Sequence, residues 1–200
     1  MASIIDICNL SLANLGDEAT ISSIDPPDGS TQAAHCSRFY PIAKDQLLEM
    51  HGWSFATVRT ELALLDGAPD QWEYMYAYPG NCIKILKVLG PEAHDDDDTE
   101  DFEVESLVDG TKVILSNTEF AWVRYVHKVE DPSKFTPGFV VSLAWLLTSY
   151  LTGPITKDIS KKEAAYKTFL LELKEAKLND SQVGRRDRRK TYEPTSVAAR

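Results

Sequence analysis

The chain has 200 residues, 43% of them hydrophobic and 26% charged, with a net charge of −10 and a pI near 4.9. That length allows one domain with a sizeable core, or one domain with an appendage. The negative balance argues against general nucleic-acid binding as the main activity, because such binding needs lysine and arginine to displace counterions from phosphate.

The first element reads as a helix. Ser3 with Asp6 three residues later is a capping-box pattern, and Gly16 suits the position just past a helix end. Between them Ile5, Cys8, Leu12 and Leu15 recur at spacings of three and four. Asp6 interrupts the only N-terminal apolar run, so no signal peptide is expected. IDPPDGS, from Ile24 to Ser30, is a loop by its proline and glycine content. A second helix is predicted over about 31–51, with Cys36, Phe39, Tyr40, Ala43, Leu47 and Met50 as its apolar face. Pro41 should kink or divide it, and Gly52 ends it. Trp53 and Phe55 should fold back onto the two helices.

Residues 57–71 are ambiguous, and Gly67 with Pro69 makes their later part a loop. From Trp72 the period changes to two. Trp72, Tyr74, Tyr76 and Tyr78 alternate, which in an extended chain puts all four rings on one face. Cys82–Leu89 is a second strand. FEVESLV and TKVILS, joined at Asp109-Gly110, form a hairpin whose Asp-Gly pair supplies the positive φ of a tight turn. Phe120–Val129 is a further strand. Residues 72–130 therefore read as an antiparallel β unit inserted between helices.

Helices then return. Thr136 can cap, Pro137 fits the first helical position, and Gly153-Pro154 supplies a stop. FVVSLAWLLTSYL between them is apolar almost all round, a pattern for the centre of a bundle or a subunit interface. It is short and hydroxylated for a bilayer span, so no membrane is expected. Ser160 and Glu163 form a capping box for a last helix with Tyr166, Phe169, Leu170, Leu173 and Ala176 inward. After Gly184 the chain turns polar and basic. Arg185, Arg186, Arg188, Arg189, Lys190 and Arg200 stand against two acids, a net of +4, which leaves −14 on the first 184 residues. The predicted class is α+β: a helical bundle from 1–60 and 133–183, the β insertion, and an extended or flexible tail over 184–200.

The chemistry-bearing residues are sparse. Cys8, Cys36 and Cys82 fit neither a disulfide framework nor a CxxC pattern, and read as small hydrophobes. His35, His51, His94 and His127 form no HxxxH or HExxH pair, so no metal, cofactor or catalytic residue is expected. Asp95–Asp98 lacks the DxDxDG spacing of a calcium loop and reads as a solvated connection into the hairpin. The aromatic row could stack single-stranded bases. Its alternate positions, Glu73, Met75 and Ala77, bring no basic residues, which favours packing. The basic tail could bind nucleic acid or an acidic protein surface.

Four segments carry a resemblance. IIDICNLSLANLGDEATISSIDP resembles an opening of a short helix, LG, then I-x-S-[IL]. FYPIAKDQLLEMHGWSFATVRTELALL resembles Y-x-x-A-[RK]-x-x-L-L-x-x-x-x-W-x-F-A-x-x-R-x-x-L. WEYMYAYPGNCIKILKV resembles W-x-Y-x-Y-x-x-P-x-[DN]-C-[LI]-[RK]. VRYVHKVEDPSKFTPGFVVSLAWLLTSYL resembles Y-[IV]-x-x-V-x-D-P-x-x-F-x-P-x-F-x-x-[AS]-[LF]-[AS]-x-x-L, and the final AAR also matches. In their order and spacing these resemble tail tubular protein A, the head-to-tail adaptor of short-tailed bacteriophages.

The resemblance implies a non-enzymatic structural protein of the virion, assembled in the host cytoplasm. It implies a ring of twelve copies between portal protein and tail nozzle, with tail fibres a further candidate partner and DNA passing through without specific binding. On that basis Arg185, Arg186, Arg188, Arg189, Lys190 and Arg200 would dock on the portal. Trp53, Phe55, Trp72, Tyr74, Tyr76, Tyr78 and Trp145 would pack the β unit on the bundle or on the next subunit. The alternative is a nucleic-acid-binding module built from the tail and the aromatic row.

Overall fold

The computed structural model describes residues 2–91 and 99–183. Among them are four α-helices and two four-stranded antiparallel sheets, an α+β fold. His94, the Asp95–Asp98 run and the basic tail residues Arg185, Arg186, Arg188, Arg189, Lys190 and Arg200 lie outside the described residues.

Helix α1 (Ile4–Leu15) starts at its capping box: the Asp6 N–H donates to Ser3 Oγ at 3.1 Å, and the Ser3 N–H to the Asp6 carboxylate at 2.9 Å. Its buried stripe is Ile7, Cys8, Leu12 and Leu15, with Ile5 only half-buried. The loop before the next helix is tied by Asp28, whose carboxylate accepts from Ser22 and Ser30. Those bonds, the Ser30 hydroxyl foremost, hold it well below the usual carboxylate range. Helix α2 (Thr31–Glu49) is capped by Ser30 and runs through Pro41 undivided. Pro41 is exposed, so the one ladder bond it forfeits, to the Ser37 carbonyl, is lost where water can replace it. Phe39 and Met50 are only half-buried, whereas Lys44 is buried on that face.

Strands begin earlier than expected. β1 (Thr57–Glu61) and β2 (Leu64–Leu65) come from the ambiguous segment, so the β region starts at Thr57 rather than at 72. They are followed by β3 (Tyr74–Ala77), β4 (Cys82–Leu89), β5 (Thr99–Glu100), β6 (Phe102–Ser106), β7 (Lys112–Ser116) and β8 (Trp122–His127). The first sheet has the order β1-β8-β4-β5 and the second β2-β3-β7-β6. The β6–β7 turn differs from a two-residue Asp-Gly turn. The Gly110 N–H donates to Leu107 O and the Leu107 N–H to Thr111 O, both at 2.8 Å, and of the loop residues only Gly110 has a positive φ, 85°. Asp109 instead accepts from the Thr111 N–H. This is a three-residue loop closed by a left-handed glycine.

Helix α3 (Pro137–Thr156) starts at Thr136 as expected but does not stop at Gly153-Pro154. Pro154 falls in the last turn, where a proline forfeits a single bond, and the helix closes at Lys157, whose N–H reaches Thr152 O at 3.1 Å. Helix α4 (Ile159–Val183) is capped by Asp158, not Ser160: Asp158 Oδ1 accepts from the Ser160 and Lys161 N–H groups at 2.9 and 3.3 Å. Its buried face is Ala165, Phe169, Leu173, Ala176 and Asp180, while Tyr166 and Leu170 are 42% and 47% exposed.

By length and composition α3 could cross a membrane, but here it packs against α1, α2 and α4. Its buried hydroxyls bond back along the helix, Thr148 to Ala144 O at 2.7 Å and Thr152 to Thr148 O at 2.8 Å. At Gly138 a Cβ would stand 3.0 Å from Ala176 Cβ, so the glycine sets how closely α3 approaches α4. The largest core joins the helices to Trp53, Ala56, Val126, Val129 and Phe135. A second core lies between the sheets, with Val88, Val123 and Tyr125 facing Tyr76 and Ile114. A third covers the far side of the second sheet with Met75, Val113 and Leu115.

Candidate interaction surfaces

The aromatic residues singled out in the sequence separate into three groups. Trp53 and Phe55 belong to the junction between bundle and sheets. Trp53 is fully buried, its Nε1 donates to Leu47 O at 2.9 Å, and its ring meets Phe139 edge-on at 5.0 Å. Phe55 stacks into the same group, 5.0 Å from Phe139 and 5.7 Å from Phe135. Trp145, on α3, is half-buried against the helical core.

The row from Trp72 to Tyr78 does not form one face. Tyr76 is buried between the sheets and its hydroxyl donates to Thr118 O, with Tyr74 and Tyr78 half-buried beside it. Trp72 precedes the strand, in a turn where its N–H donates to Pro69 O at 2.9 Å, and packs on the opposite side with Met75, Leu65 and Ala68. A continuous stacking platform would need all four rings on one open surface.

Two charged anchors were not singled out from the sequence. Asp180, at a core position of α4, is 7% exposed. Its carboxylate accepts from the Ser54 N–H at 3.0 Å and the Ser54 hydroxyl at 2.7 Å, with His51 Nε2 3.4 Å away. Burial pushes the His51 imidazole below its ordinary value against the pull of Asp180, so near neutral pH the carboxylate faces a neutral ring. This anchor ties the last turns of α4, the point from which the tail departs, to the turn beside Trp53. Asp180→Ala orphans two Ser54 donors and is expected to cost about 2–3 kcal/mol. Urea unfolding measures the loss, and hydrogen exchange should place the loosening in the final turns of α4. A loss below about 0.5 kcal/mol would contradict the anchor.

The second anchor is Lys44, whose ammonium is buried on α2 and held by Glu130, three residues past the end of β8. Lys128 closes the square, 3.0 Å from Asp45 and 3.6 Å from Glu130. Two outcomes separate here. Glu130→Ala leaves a buried ammonium with only Asp45, 3.8 Å away, and should cost about 2 kcal/mol, whereas Lys44→Met fills the space without charge and should stay within about 1 kcal/mol. The hydrogen bond from Lys44 holds Glu130 below its ordinary value of 4.5. A depressed carboxylate stabilises above that value and loses the contribution as pH falls through its folded-state pKa. The stability gap between wild type and Glu130→Gln should therefore be flat near neutral pH and shrink below about pH 4.5.

Cys8 and Cys36 are buried free thiols in mutual contact between α1 and α2. Their hydrogen bond, together with burial, pushes the Cys8 thiol up. A surface cleft of about 600 Å³ opens between the start of α1, the Ser22–Asp25 loop and the Asp131–Ser133 turn, and one of about 450 Å³ opens beside Phe55, Val58 and His127, where the bundle meets the first sheet. Among the described residues the first has serines but no histidine, and the second has His127 but no Ser, Thr or Cys. Among the described residues no group of three or more His, Cys, Asp or Glu side chains is placed to hold a metal ion.

The sheet register also assembles what the sequence separates. Arg59, Arg124 and Lys87 sit abreast on β1, β8 and β4, and the Arg59 guanidinium lies 5.6 Å from the Trp122 ring centre. No protein-family model matches this chain, and neither does any curated protein.

Proposed function

We propose that the chain is a non-enzymatic connector of a phage virion, a ring-forming adaptor between portal and tail nozzle that extends the DNA channel and seals the packaged head. The observation that supports this best is where the motif residues lie. Tyr40, Ala43, Lys44, Leu47, Leu48, Trp53 and Ala56 from one motif, and Val126, Val129, Phe135, Phe139, Leu143 and Leu147 from another, are all buried in the helical core. Asp131, from the second motif, caps the Pro132–Lys134 turn through the Ser133 N–H at 2.9 Å. The resemblance is thus one of interior residues and joints, which determine shape.

A connector of this kind works by shape and electrostatics. The net charge of −14 on residues 1–184 suits a wall past which a duplex slides, because a lysine-lined sleeve would hold phosphate. The tail, with its net of +4, suits docking on an acidic portal surface. Virions assembled without the chain test the reading. Heads should fill with DNA and then lose it, and particles should lack tails. Filled, stable and infectious particles would contradict it.

A further inference from the structure

We propose that the tip of the β6–β7 hairpin of one copy seats in the α4 groove of the next copy, so that neighbouring subunits join head to tail. The inference rests on the ring reading and names the contact that builds the ring.

The tip is an unusual surface. Val108 is fully exposed, and Leu107 beside it is 39% exposed. Surface valines occur singly without consequence, but this one crowns a turn fixed by two backbone hydrogen bonds and the Asp109–Thr111 contact. It is therefore a fixed apolar knob. Glu105 and Asp109 flank it in sequence, while the next lysine along the chain, Lys112, lies 5.4 Å over the Tyr78 ring.

The groove has the opposite character. On α4, Leu170 and Leu178 are 47% and 57% exposed. With Leu173 between them they line a depression of about 380 Å³ bordered by Lys174 and Lys177. The sequence reading places Leu170 on the inner face of this helix. In the structure it is at the surface, and nothing in the chain covers it among the described residues.

An apolar knob flanked by two acidic residues and an apolar groove bordered by two lysines match in polarity and in charge. The tail from Arg185 to Arg200 does not fit as occupant, since its net of +4 repeats the sign of the lysines. Knob and groove lie on different elements, so the contact is heterologous, and repeated contacts of that kind close into a ring or grow into a filament.

The test uses full-length chains carrying one new cysteine each, Val108→Cys or Leu178→Cys, with wild type as the control for Cys82. A short bis-maleimide should join the two variants when they are mixed, alone or on portal rings, and should join neither to itself. In sedimentation or mass photometry, Val108→Asp should weaken self-association about ten- to a hundredfold. Glu105→Lys should weaken it too, and the double variant Glu105→Lys with Lys177→Glu should recover part of the loss. Rings that form without the cross-link, or undiminished with Val108→Asp, overturn this contact and leave the ring reading intact. A wild-type chain that never self-associates, even with portal present, overturns both.

Discussion

Trp53→Ala should remove about 3–5 kcal/mol of stability, out of the roughly 5–15 kcal/mol that a domain ordinarily has. The ring fills the point where the helical core meets the chain leading into the sheets, fully buried and edge-on to Phe139. Deletion opens a cavity among Phe139, Phe55 and Leu47 that rigid helices cannot collapse into, and it orphans the Leu47 carbonyl that accepts from Nε1. Trp53→Phe should cost less, because most of the apolar volume survives and only the hydrogen bond and one ring are lost. Urea midpoints for the two variants check this. A loss under about 1.5 kcal/mol for the alanine variant would show that bundle and sheets are not joined here. For the proposed connector role the consequence is mechanical: a ring subunit whose sheets are loose on its bundle cannot hold a fixed wedge angle.

On the proposed connector role, removal of Arg185–Arg200 should leave the fold intact and weaken docking to the portal by about tenfold or more at 0.1 M salt. The six basic side chains contribute about 0.2–1 kcal/mol each if they meet exposed carboxylates, and every 1.4 kcal/mol is a factor of ten. Stability should stay within about 0.5 kcal/mol of wild type, since the described core ends at Asp180. The deficit should narrow as salt rises, because the screening length falls from about 10 Å at 0.1 M to about 3 Å at 1 M. Binding curves for full-length and truncated chains on portal rings at two salt concentrations measure it. Equal affinities would show that the tail is not the anchor.

What the sequence made legible was local. Ser3, Asp6 and Gly16 define α1 within one short window, and each acts on its own neighbours. Local signals also compete. Ser160 with Glu163 has the pattern of a cap, but Asp158 wins because the left-handed turn at Lys157 starts the helix two residues earlier. Trp72 keeps the strand period in sequence, yet the Pro69 turn removes it from the ladder and sends it to the other side of the sheet. β1 was obscure because Thr-Val-Arg-Thr-Glu carries little apolar alternation, and only its pairing with β8 makes it a strand.

The buried charges carry a signal in the sequence. Lys44 stands four residues after Tyr40 and Asp180 four after Ala176, so each occupies a core position of its helix. A charge at such a position needs a partner from elsewhere in the chain. Glu130 and Ser54 are those partners, and neither pairing is visible without the fold. The row of Arg59, Arg124 and Lys87 was hidden for the same reason, since register is a long-range property.

Electron microscopy of the purified full-length chain mixed with portal rings of the virion that the proposal assigns it to tests the connector reading most directly. The expected image is an added layer of repeated subunits beneath the portal, coaxial with its channel and continuing it. Portal rings that keep their original height at saturating chain concentration would contradict the reading.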